Sequence, residues 1–329
     1  MRPPLRLCAS QEAYFSAKNT QRLRVGFPQR RKGAKKVWQF VDSLRRRKLI
    51  CYPVNQTGDN TPKTSSKKTV AIIPARYAST RLPGKALIEI NGKPMVCWVA
   101  ERAQAARNVD RVIVATDSQE ILTAVNSRGF EAKLTDPNHK SGTDRVAEVA
   151  ASIPDAEIIV NVQGDEPLIA PETIEKAVDT MAAEMSKANG AGIVTTCEPI
   201  ESLDDLLNFN LVKVVIDDDG NAVYFSRSPI PFPSDATKRY GEPEAALIAE
   251  PELFQFFHKH TGLYVYRRDV LLEFTHWPPA KLEMIEQLEQ LRALAHGVKI
   301  KVVEACSSSI GVDTAEDLEL LKVQMAQTA

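Results

Sequence analysis

The sequence predicts an α/β fold: a doubly wound, mostly parallel mixed sheet with an antiparallel hairpin extension. After residue 68, short β-branched apolar runs alternate with segments whose apolar residues recur at helical spacing. Further along, two strand-like runs flank the turn Asp217-Asp218-Asp219-Gly220-Asn221, which is typical of a hairpin. With 329 residues, 43% of them hydrophobic, the chain can bury the core that such a sheet needs.

The expected elements follow one another from residue 69. Strands are expected at 70–73, 111–116, 157–162 and 192–197, with helices between them at 94–107, 118–128, 143–152 and 171–187. The second half is expected to contain the hairpin strands 212–216 and 222–225, a surface loop or lid at 229–252, a strand at 261–266, one helix at 282–296 and a closing strand at 299–303. Thr314 and Asp317 have the spacing of a helix cap, so a last helix should begin there.

The first 68 residues have a different composition. They hold 17 Lys and Arg against 3 Asp and Glu, so that the remainder carries the opposite net charge and the whole chain is neutral. A disordered basic extension, or a start codon assigned too far upstream, explains this composition; an organelle transit peptide, or a segment that binds nucleic acid or anionic membranes, would share it. We therefore expect a domain boundary between residues 68 and 69.

Other classes of protein are disfavoured. Five cysteines, at positions 8, 51, 97, 197 and 306, have no metal-site or disulfide spacing and are expected to be free thiols. The sequence has no apolar run of about 18 residues, so no transmembrane segment is expected, and no secretory signal is recognisable.

A cationic loop follows the first predicted strand. Arg76, Arg81 and Lys85 lie within ten positions of one another, with hydroxyls at Ser79 and Thr80 between them. Cations and hydroxyls at the carboxyl end of a buried strand are suited to holding a polyphosphate. The loop is not a P-loop, because that motif needs Gly at position 79 and Ser or Thr at position 86, and no dinucleotide fingerprint follows any predicted strand.

Two carboxylates stand where predicted strands end. Asp165 follows the strand 157–162 in Gln163-Gly164-Asp165-Glu166, and Asp313 precedes the last helix in Gly311-Val312-Asp313-Thr314. Such acids suit Mg²⁺, which prefers carboxylate and phosphate oxygens. From spacing alone, Asp165 could instead be a turn or cap residue, and the same alternative is stronger for Asp313, which stands directly before the Thr cap of a helix.

These motifs closely resemble the nucleotide-sugar pyrophosphorylase superfamily, and in particular the cytidylyltransferases that act on 3-deoxy-manno-octulosonate (Kdo). The resemblance runs from about Thr69 to the C-terminus. It implies a sheet of the nucleotide-diphospho-sugar transferase type and Mg²⁺-dependent transfer of CMP from CTP to Kdo, giving CMP-Kdo and pyrophosphate for lipopolysaccharide biosynthesis. It also implies a cytoplasmic homodimer with no DNA or RNA partner. A related ulosonic acid, such as 8-amino-Kdo or a sialic acid, remains an alternative substrate, and a non-catalytic nucleotide-sugar-binding protein remains an alternative function.

The resemblance also implies roles for individual residues. Lys85, Asp165 and Asp313 are expected to be catalytic, the two acids as Mg²⁺ ligands. Residues 69–200 would form the nucleotide-binding half, with Arg76, Ser79, Arg81, Lys85, Ser141, Gly142, Thr143 and Arg145 on the nucleotide. Residues 201–329 would form the sugar-binding and dimerisation half, and the sugar would contact Gln163, Arg227, His260, Tyr264, Glu289 and Gln290. The chain departs from the family pattern at Asp144, where Glu is usual, and at Thr261, where Leu is common.

Overall fold

A computed structural model describes residues 68–78 and 82–328 of the chain. The basic extension predicted before residue 69 therefore lies almost wholly outside the described residues, as do Ser79, Thr80 and Arg81. The strands are β1 Thr69–Ala75, β2 Glu89–Ile90, β3 Lys93–Pro94, β4 Arg111–Thr116, β5 Glu131–Leu134, β6 Ile158–Asn161, β7 Ile193–Pro199, β8 Lys213–Ile216, β9 Ala222–Ser226, β10 His258–Arg267 and β11 Ile300–Glu304. The α-helices are Met95–Ala105, Gln119–Ser127, Gly142–Ala151, Pro171–Met185, Leu203–Leu207, Ser234–Tyr240, Pro243–Ala249, Arg268–Phe274, Lys281–Glu286, Gln290–Ala295 and Ala315–Thr328.

Among the described residues, nine strands form one mixed sheet. Its main path runs β11-β7-β10-β6-β1-β4-β5, and the hairpin β8-β9 joins through β10. The neighbours β6, β1, β4 and β5 are parallel, β11 is parallel to β7, and β10 is antiparallel to both β6 and β7. The predicted fold class is therefore confirmed. The antiparallel strand β10 is part of the sheet's interior rather than an addition at its edge.

Strand β1 explains why the sheet is covered on both faces. Val70 and Ile72 pack into one core cluster with Val146 and Val149 of the helix Gly142–Ala151. The alternate residues Ala71 and Ile73 pack on the other face, against the helices Met95–Ala105 and Pro171–Met185. A strand that is apolar at every position is buried on both faces, as parallel strands usually are. The core thus lies in two layers, one on each side of the sheet.

The prediction of a surface loop or lid at 229–252 is wrong in part. It contains the helices Ser234–Tyr240 and Pro243–Ala249, followed by a 3₁₀ turn at Pro251–Phe256. Leu247 is buried in a small cluster with Ile200, Leu206 and Phe257. Pro243 suits the first turn of its helix, since that position needs no N–H donor.

The prediction of a single helix at 282–296 is also wrong. The structure has two short helices, Lys281–Glu286 and Gln290–Ala295, because Gln287 adopts a left-handed conformation with φ 54°. Such a residue ends an α-helix and turns the chain. The predicted cap of the last helix is confirmed: the Thr314 hydroxyl accepts from Asp317 N at 3.2 Å, and Thr314 N donates to the Asp317 carboxylate at 2.8 Å.

Two short features were not predicted. The hairpin β2-β3 turns at Asn91 and Gly92, both with positive φ, and this Asn-Gly pair is a turn signal that could have found it. The edge strand β5 contains Glu131 and Lys133 and lacks an apolar pattern. The three cysteines within the described residues, at positions 97, 197 and 306, are free thiols. None of the helices in the described part of the chain has the length and apolar character needed to cross a membrane.

Candidate active site

A polar cleft opens at the carboxyl ends of β1 and β6. Its volume is about 360 Å³. It is lined by Pro74, Ala75, Arg76, Lys85, Ala86, His139, Lys140, Ser141, Gly142, Arg145, Gln163, Gly164, Asp165 and Asp313. Five separate chain segments therefore meet here, as expected where parallel strands end at a common edge.

Lys85 connects the two acids that the sequence singled out. Its ammonium lies 2.6 Å from Asp165 Oδ2 and 3.1 Å from Asp313 Oδ1. The backbones of the two acidic segments are joined as well, since Val312 N donates to the Asp165 carbonyl at 2.9 Å. Gly84 precedes Lys85 with φ 67°, a conformation that favours glycine and starts the 3₁₀ turn Lys85–Leu87.

The arrangement fits a divalent cation. Two carboxylates from positions 148 residues apart already converge on one positive group, and both are partly exposed to the cleft. No group of three or more His, Cys, Asp or Glu side chains with metal-site geometry occurs among the described residues. A two-carboxylate site of this kind suits Mg²⁺, which usually keeps several waters and takes further oxygens from phosphates.

Gly164 allows the turn that presents Asp165. A Cβ at this position would lie 2.9 Å from the Pro74 carbonyl oxygen, closer than real Cβ contacts come. The end of β6 and the end of β1 can therefore approach each other only with glycine here. This contact fixes the distance between the cationic loop and the acid.

The segment around Ser141 begins a helix at the edge of the cleft. The Ser141 hydroxyl accepts from Asp144 N at 3.1 Å, and Ser141 N donates to Asp144 Oδ2 at 3.1 Å. Asp144 thus completes a capping box, so the departure from Glu at this position keeps the local structure. The first N–H groups of a helix have no partner inside the helix, and they make its start suitable for an anionic or polar ligand.

Arg145 reaches the cleft from a buried position. Its guanidinium donates to Asp117 Oδ2 at 3.0 Å and also to the Thr135 hydroxyl. Asp117 in turn accepts from Tyr77 N at 3.1 Å, beside Arg76. Arg145 therefore stabilises the start of the cationic loop through Asp117. Asp117 was missed in the sequence, although its position at the end of a parallel strand is the signal that identified Asp165.

His139 lines the cleft and was also missed by sequence reasoning. Its Nε2 lies 2.5 Å from Glu148 Oε2, and the same carboxylate oxygen accepts from Asp136 N. Burial opposes ionisation of Glu148, yet these two contacts hold its pKa below the usual value. Its position in the sequence could have identified it, because His139 stands two residues before Ser141, in a segment already predicted to bind the nucleotide.

Glu166, next to Asp165, has a strongly perturbed environment. Burial raises its pKa to about 8, and the neighbouring carboxylates of Asp165 and Glu198 act in the same direction. A carboxyl with this pKa is mostly protonated at neutral pH. Glu166 thus adds little negative charge beside the two cleft acids.

Of the predicted sugar-binding residues, Gln163 lines the cleft itself. The others make up a second group outside the cleft lining: Arg227, His260, Tyr264, Glu289 and Gln290. Glu289 connects the two groups, because it accepts from the Thr143 hydroxyl at 2.7 Å. Burial raises the pKa of Glu289. Gln290 is buried at the start of the next helix.

His260 and Tyr264 belong to a row of aromatic rings on β10. The ring centroids of His260 and Tyr264 are 5.2 Å apart, and Phe225 contacts His260 edge-on at 5.1 Å. Burial lowers the pKa of His260 to about 3, so the ring is neutral at physiological pH. The Thr195 hydroxyl donates to the Leu263 carbonyl, so His260 Nε2 must donate to Thr195 Oγ1, which lies 2.9 Å away. Nδ1 of His260 is therefore a hydrogen-bond acceptor.

Arg227 lies at the end of β9. Its Nε donates to the Glu286 carbonyl at 2.9 Å, and its Nη1 donates to the Phe209 carbonyl at 3.1 Å. The Glu286 carboxylate accepts from Arg227 N and from the Ser226 hydroxyl. Glu286 was expected to lie inside one long helix. The break at Gln287 places it at a helix end, three residues before Glu289.

Comparison with known proteins places the chain in a family. A family model described as Cytidylyltransferase matches residues 70–300. The 3-deoxy-manno-octulosonate cytidylyltransferase of Geobacter sulfurreducens is 52% identical over 249 residues, 76% of this chain and 96% of that protein. The enzyme of the same name from Yersinia enterocolitica is 46% identical over 259 residues, 78% of this chain and 98% of that protein.

Solved structures agree with this result. The structure of CMP:2-keto-3-deoxy-manno-octonic acid synthetase complexed with CTP superposes with a TM-score of 0.70 at 40% identity, covering 80% of this chain and 100% of that one. The 4-diphosphocytidyl-2C-methyl-D-erythritol synthase of Anaerococcus prevotii, at 14% identity and a TM-score of 0.51, shares the fold alone, over 79% of this chain and 97% of its own. The chain therefore belongs to the cytidylyltransferase family, among the 3-deoxy-manno-octulosonate cytidylyltransferases.

Proposed function

We propose that this protein transfers CMP from CTP to Kdo, giving CMP-Kdo and pyrophosphate. The observation that supports the proposal most directly is the cluster of Lys85, Asp165 and Asp313 in the cleft at the carboxyl edge of the sheet. Two relatives that carry the name of this activity are 52% and 51% identical to the chain. The matched regions cover 96% and 95% of their own length. CMP-Kdo is an activated sugar, and we propose that it serves lipopolysaccharide biosynthesis.

The chemistry requires charge neutralisation and positioning. An oxygen of a Kdo hydroxyl attacks the α-phosphorus of CTP, the bond from this phosphorus to the bridging oxygen breaks, pyrophosphate leaves, and the hydroxyl proton passes to water. Arg76 and Lys85 line the cleft and would neutralise phosphate oxygens there. We assign Ser79 and Arg81 the same task from the sequence pattern.

Asp165 and Asp313 would hold Mg²⁺ in this proposal. When bound, the ion neutralises phosphate charge and favours ionisation of a coordinated hydroxyl. Lys85 contributes by holding the two carboxylates near each other, since its ammonium pairs with both. Arg145, through Asp117, would keep the loop that carries Arg76 in place.

The remaining residues would bind cytidine and the sugar. Ser141, Gly142 and Thr143 offer the start of a helix to the nucleoside. For the sugar, Arg227 would pair with the Kdo carboxylate, since a guanidinium can donate two hydrogen bonds to one carboxylate. Gln163, His260, Tyr264, Glu289 and Gln290 would contact its hydroxyls. His260 is expected to accept rather than donate there, because its Nε2 proton is used by Thr195.

A homodimer and a cytoplasmic location complete the proposal. Several large apolar side chains are exposed on the described part of the second half, including Phe209, Phe232, Ile248 and Ile285. An interface between two copies of the chain would bury side chains of this kind. Light scattering on the purified chain should give twice the monomer mass, and a monomer would contradict this part of the proposal.

The test is product formation with a panel of sugars. The full chain, incubated with CTP and Mg²⁺, should release pyrophosphate with Kdo, and mass spectrometry should detect CMP-Kdo in equal amount. The Lys85→Met variant should lose about 100-fold or more in turnover. Lys93→Met is the matched control, because Lys93 pairs with Glu101 and Trp98 away from the cleft. CTP binding by calorimetry without pyrophosphate release would contradict catalysis, and faster turnover with 8-amino-Kdo or a sialic acid would contradict the sugar assignment.

A further inference from the structure

Lys213 is a buried cation for which no carboxylate partner occurs among the described residues. It stands at the start of β8, and none of its surface is exposed. Its ammonium donates to three backbone carbonyls: Asn208 at 2.7 Å, Leu211 at 2.9 Å and Arg227 at 3.1 Å. These three bonds use all of the ammonium's protons.

Burial of such a group is costly. Removing an ammonium from water is unfavourable unless its protons are all satisfied, and burial together with the charge of Arg227 lowers the pKa of Lys213. An apolar side chain of similar length would avoid the cost. The contribution of Lys213 is therefore best sought in the geometry that it fixes.

That geometry involves two segments which meet at Arg227. Lys213 holds the loop 208–211 at both ends through the Asn208 and Leu211 carbonyls, and it holds the end of β9 through the Arg227 carbonyl. The Arg227 guanidinium donates to Phe209, in the middle of the same loop. Its orientation thus depends on the position of a loop that Lys213 fixes.

Glu286 fixes Arg227 from the other side. Its carboxylate accepts from Arg227 N at 3.1 Å, and its carbonyl accepts from Arg227 Nε at 2.9 Å. Among the described residues, no hydrogen bond joins Arg227 Nη2 to a protein acceptor. Nε and Nη1 of the guanidinium are thus held by two backbone carbonyls, while Nη2 remains available to an anionic ligand.

We propose that Lys213 is a positioning residue for the sugar-carboxylate site, which orients Arg227 by tying the loop 208–211 to the end of β9. The inference rests on the proposed function, because it assumes that Arg227 binds the carboxylate of the sugar. Lys213 itself does not touch the sugar. Its loss should weaken sugar binding and leave CTP binding intact.

The experiment measures the Michaelis constants for both substrates in Lys213 variants. Lys213→Met removes all three donors and keeps the side-chain length; Lys213→Gln restores two donors without charge. We expect the KM for Kdo to rise about tenfold or more in Lys213→Met and less in Lys213→Gln, while the KM for CTP changes less than about twofold. If Lys213→Met does not fold, Lys213→Gln alone provides the ratio.

A matched control separates positioning from general destabilisation. Glu184 is also buried and charged, and it accepts from Ala191 N at 2.9 Å, far along the chain from either group of site residues. Glu184→Gln should lower the unfolding midpoint and leave both KM values unchanged. Equal changes in the two KM values in a Lys213 variant, or no change in either, would overturn the inference. Failure of the wild-type chain to make CMP-Kdo would instead overturn the proposed function.

Discussion

At the scale of single residues, the site depends on side chains that connect distant parts of the chain. Lys85 joins Asp165 and Asp313, and Thr143, in the first turn of the helix beside the cleft, joins that helix to Glu289. Each of these contacts is a hydrogen bond to a charged group, the kind that contributes most to stability when partly buried. A change of one atom at such a point should therefore affect both halves of the site.

Thr143→Val tests the contact between the two groups. The variant removes the hydroxyl that donates to Glu289 and leaves a mostly buried carboxylate with one fewer donor. We expect a loss of about 1.5–3 kcal/mol in the free energy of unfolding. The KM for Kdo should rise as well, because Glu289 is then held less firmly. Urea denaturation and steady-state kinetics measure the two effects.

Thr123→Val is the control for this prediction. The exposed Thr123 hydroxyl donates to the Gln119 carbonyl on the outer face of the helix Gln119–Ser127. Its loss should change the free energy of unfolding by less than about 0.5 kcal/mol. Equal losses in the free energy of unfolding would mean that the Thr143–Glu289 hydrogen bond contributes no more to stability than a hydrogen bond on an exposed helix face.

At the scale of elements, the turns that follow β1 and β6 set the geometry of the cleft. They approach so closely that Gly164 has no room for a side chain. The acid at 165 is presented by this turn, whereas the acid at 313 is presented by the segment before the last helix. The turn at Gly164 and the segment at Gly311 should respond differently to an added Cβ.

Gly164→Ala and Gly311→Ala should therefore have opposite outcomes. A Cβ at 164 would lie 2.9 Å from the Pro74 carbonyl, so the turn must shift, and we expect a loss of about 1–3 kcal/mol in stability together with most of the activity. At 311 a Cβ would meet nothing within 4 Å, so that variant should keep the stability and the activity of the wild type. Thermal unfolding and pyrophosphate release measure both. A tolerated alanine at 164 would contradict the described contact.

Much of the first half of the fold was predictable because its signals are local. β1, β4 and β6 are apolar runs, and the rule that parallel strands end at one edge places Asp165 beside the cationic loop. The same rule could have found Asp117. The second half was less predictable: no pattern in the sequence marks Gln287 as left-handed, and the helices between 234 and 249 are too short to show a clear period.

Resemblance, rather than spacing, supplied most of the candidate sugar residues. Arg227, His260 and Glu289 lie on three different elements, and what joins them to the rest of the site is tertiary contact. The buried Lys213 was also missed. A lone lysine at a strand start is usually exposed, and nothing in the sequence marks this one as buried. Sequence reasoning thus singled out side chains that meet in the cleft, Lys85, Asp165 and Asp313, and overlooked the buried groups around them.

At the scale of the whole molecule, the His260 ring makes stability depend on pH. Burial lowers the pKa of His260 to about 3, whereas the imidazole of an unfolded chain titrates near 6.5. Between these two values the unfolded state binds a proton that the folded state does not. The contribution of His260 is therefore complete above pH 6.5, and the folded state loses stability as the pH falls below it.

The His260→Gln variant isolates this effect. Glutamine can still donate to Thr195 but does not titrate, so the difference in unfolding free energy between wild type and variant should shrink, or move in favour of the variant, as the pH falls from 7.5 to 5. The expected change is up to about 1.4 kcal/mol per pH unit below 6.5. His258, whose pKa burial also lowers, is present in both proteins and cancels. A difference that stays constant with pH would contradict the neutral, buried state of this ring.

The central claim is that Asp165 and Asp313 together hold the metal ion for nucleotidyl transfer. A Mg²⁺ titration of pyrophosphate release tests it most directly, with CTP and Kdo saturating and divalent ions first removed by a chelator. Wild type should be inactive without the ion and saturate as it is added. Asp165→Asn and Asp313→Asn should each lose about 100-fold or more in turnover and need more Mg²⁺, whereas Asp155→Asn, on an exposed pair with Lys68, should match wild type. Full turnover in the chelated sample, or a wild-type Mg²⁺ dependence in either cleft variant, would contradict the account.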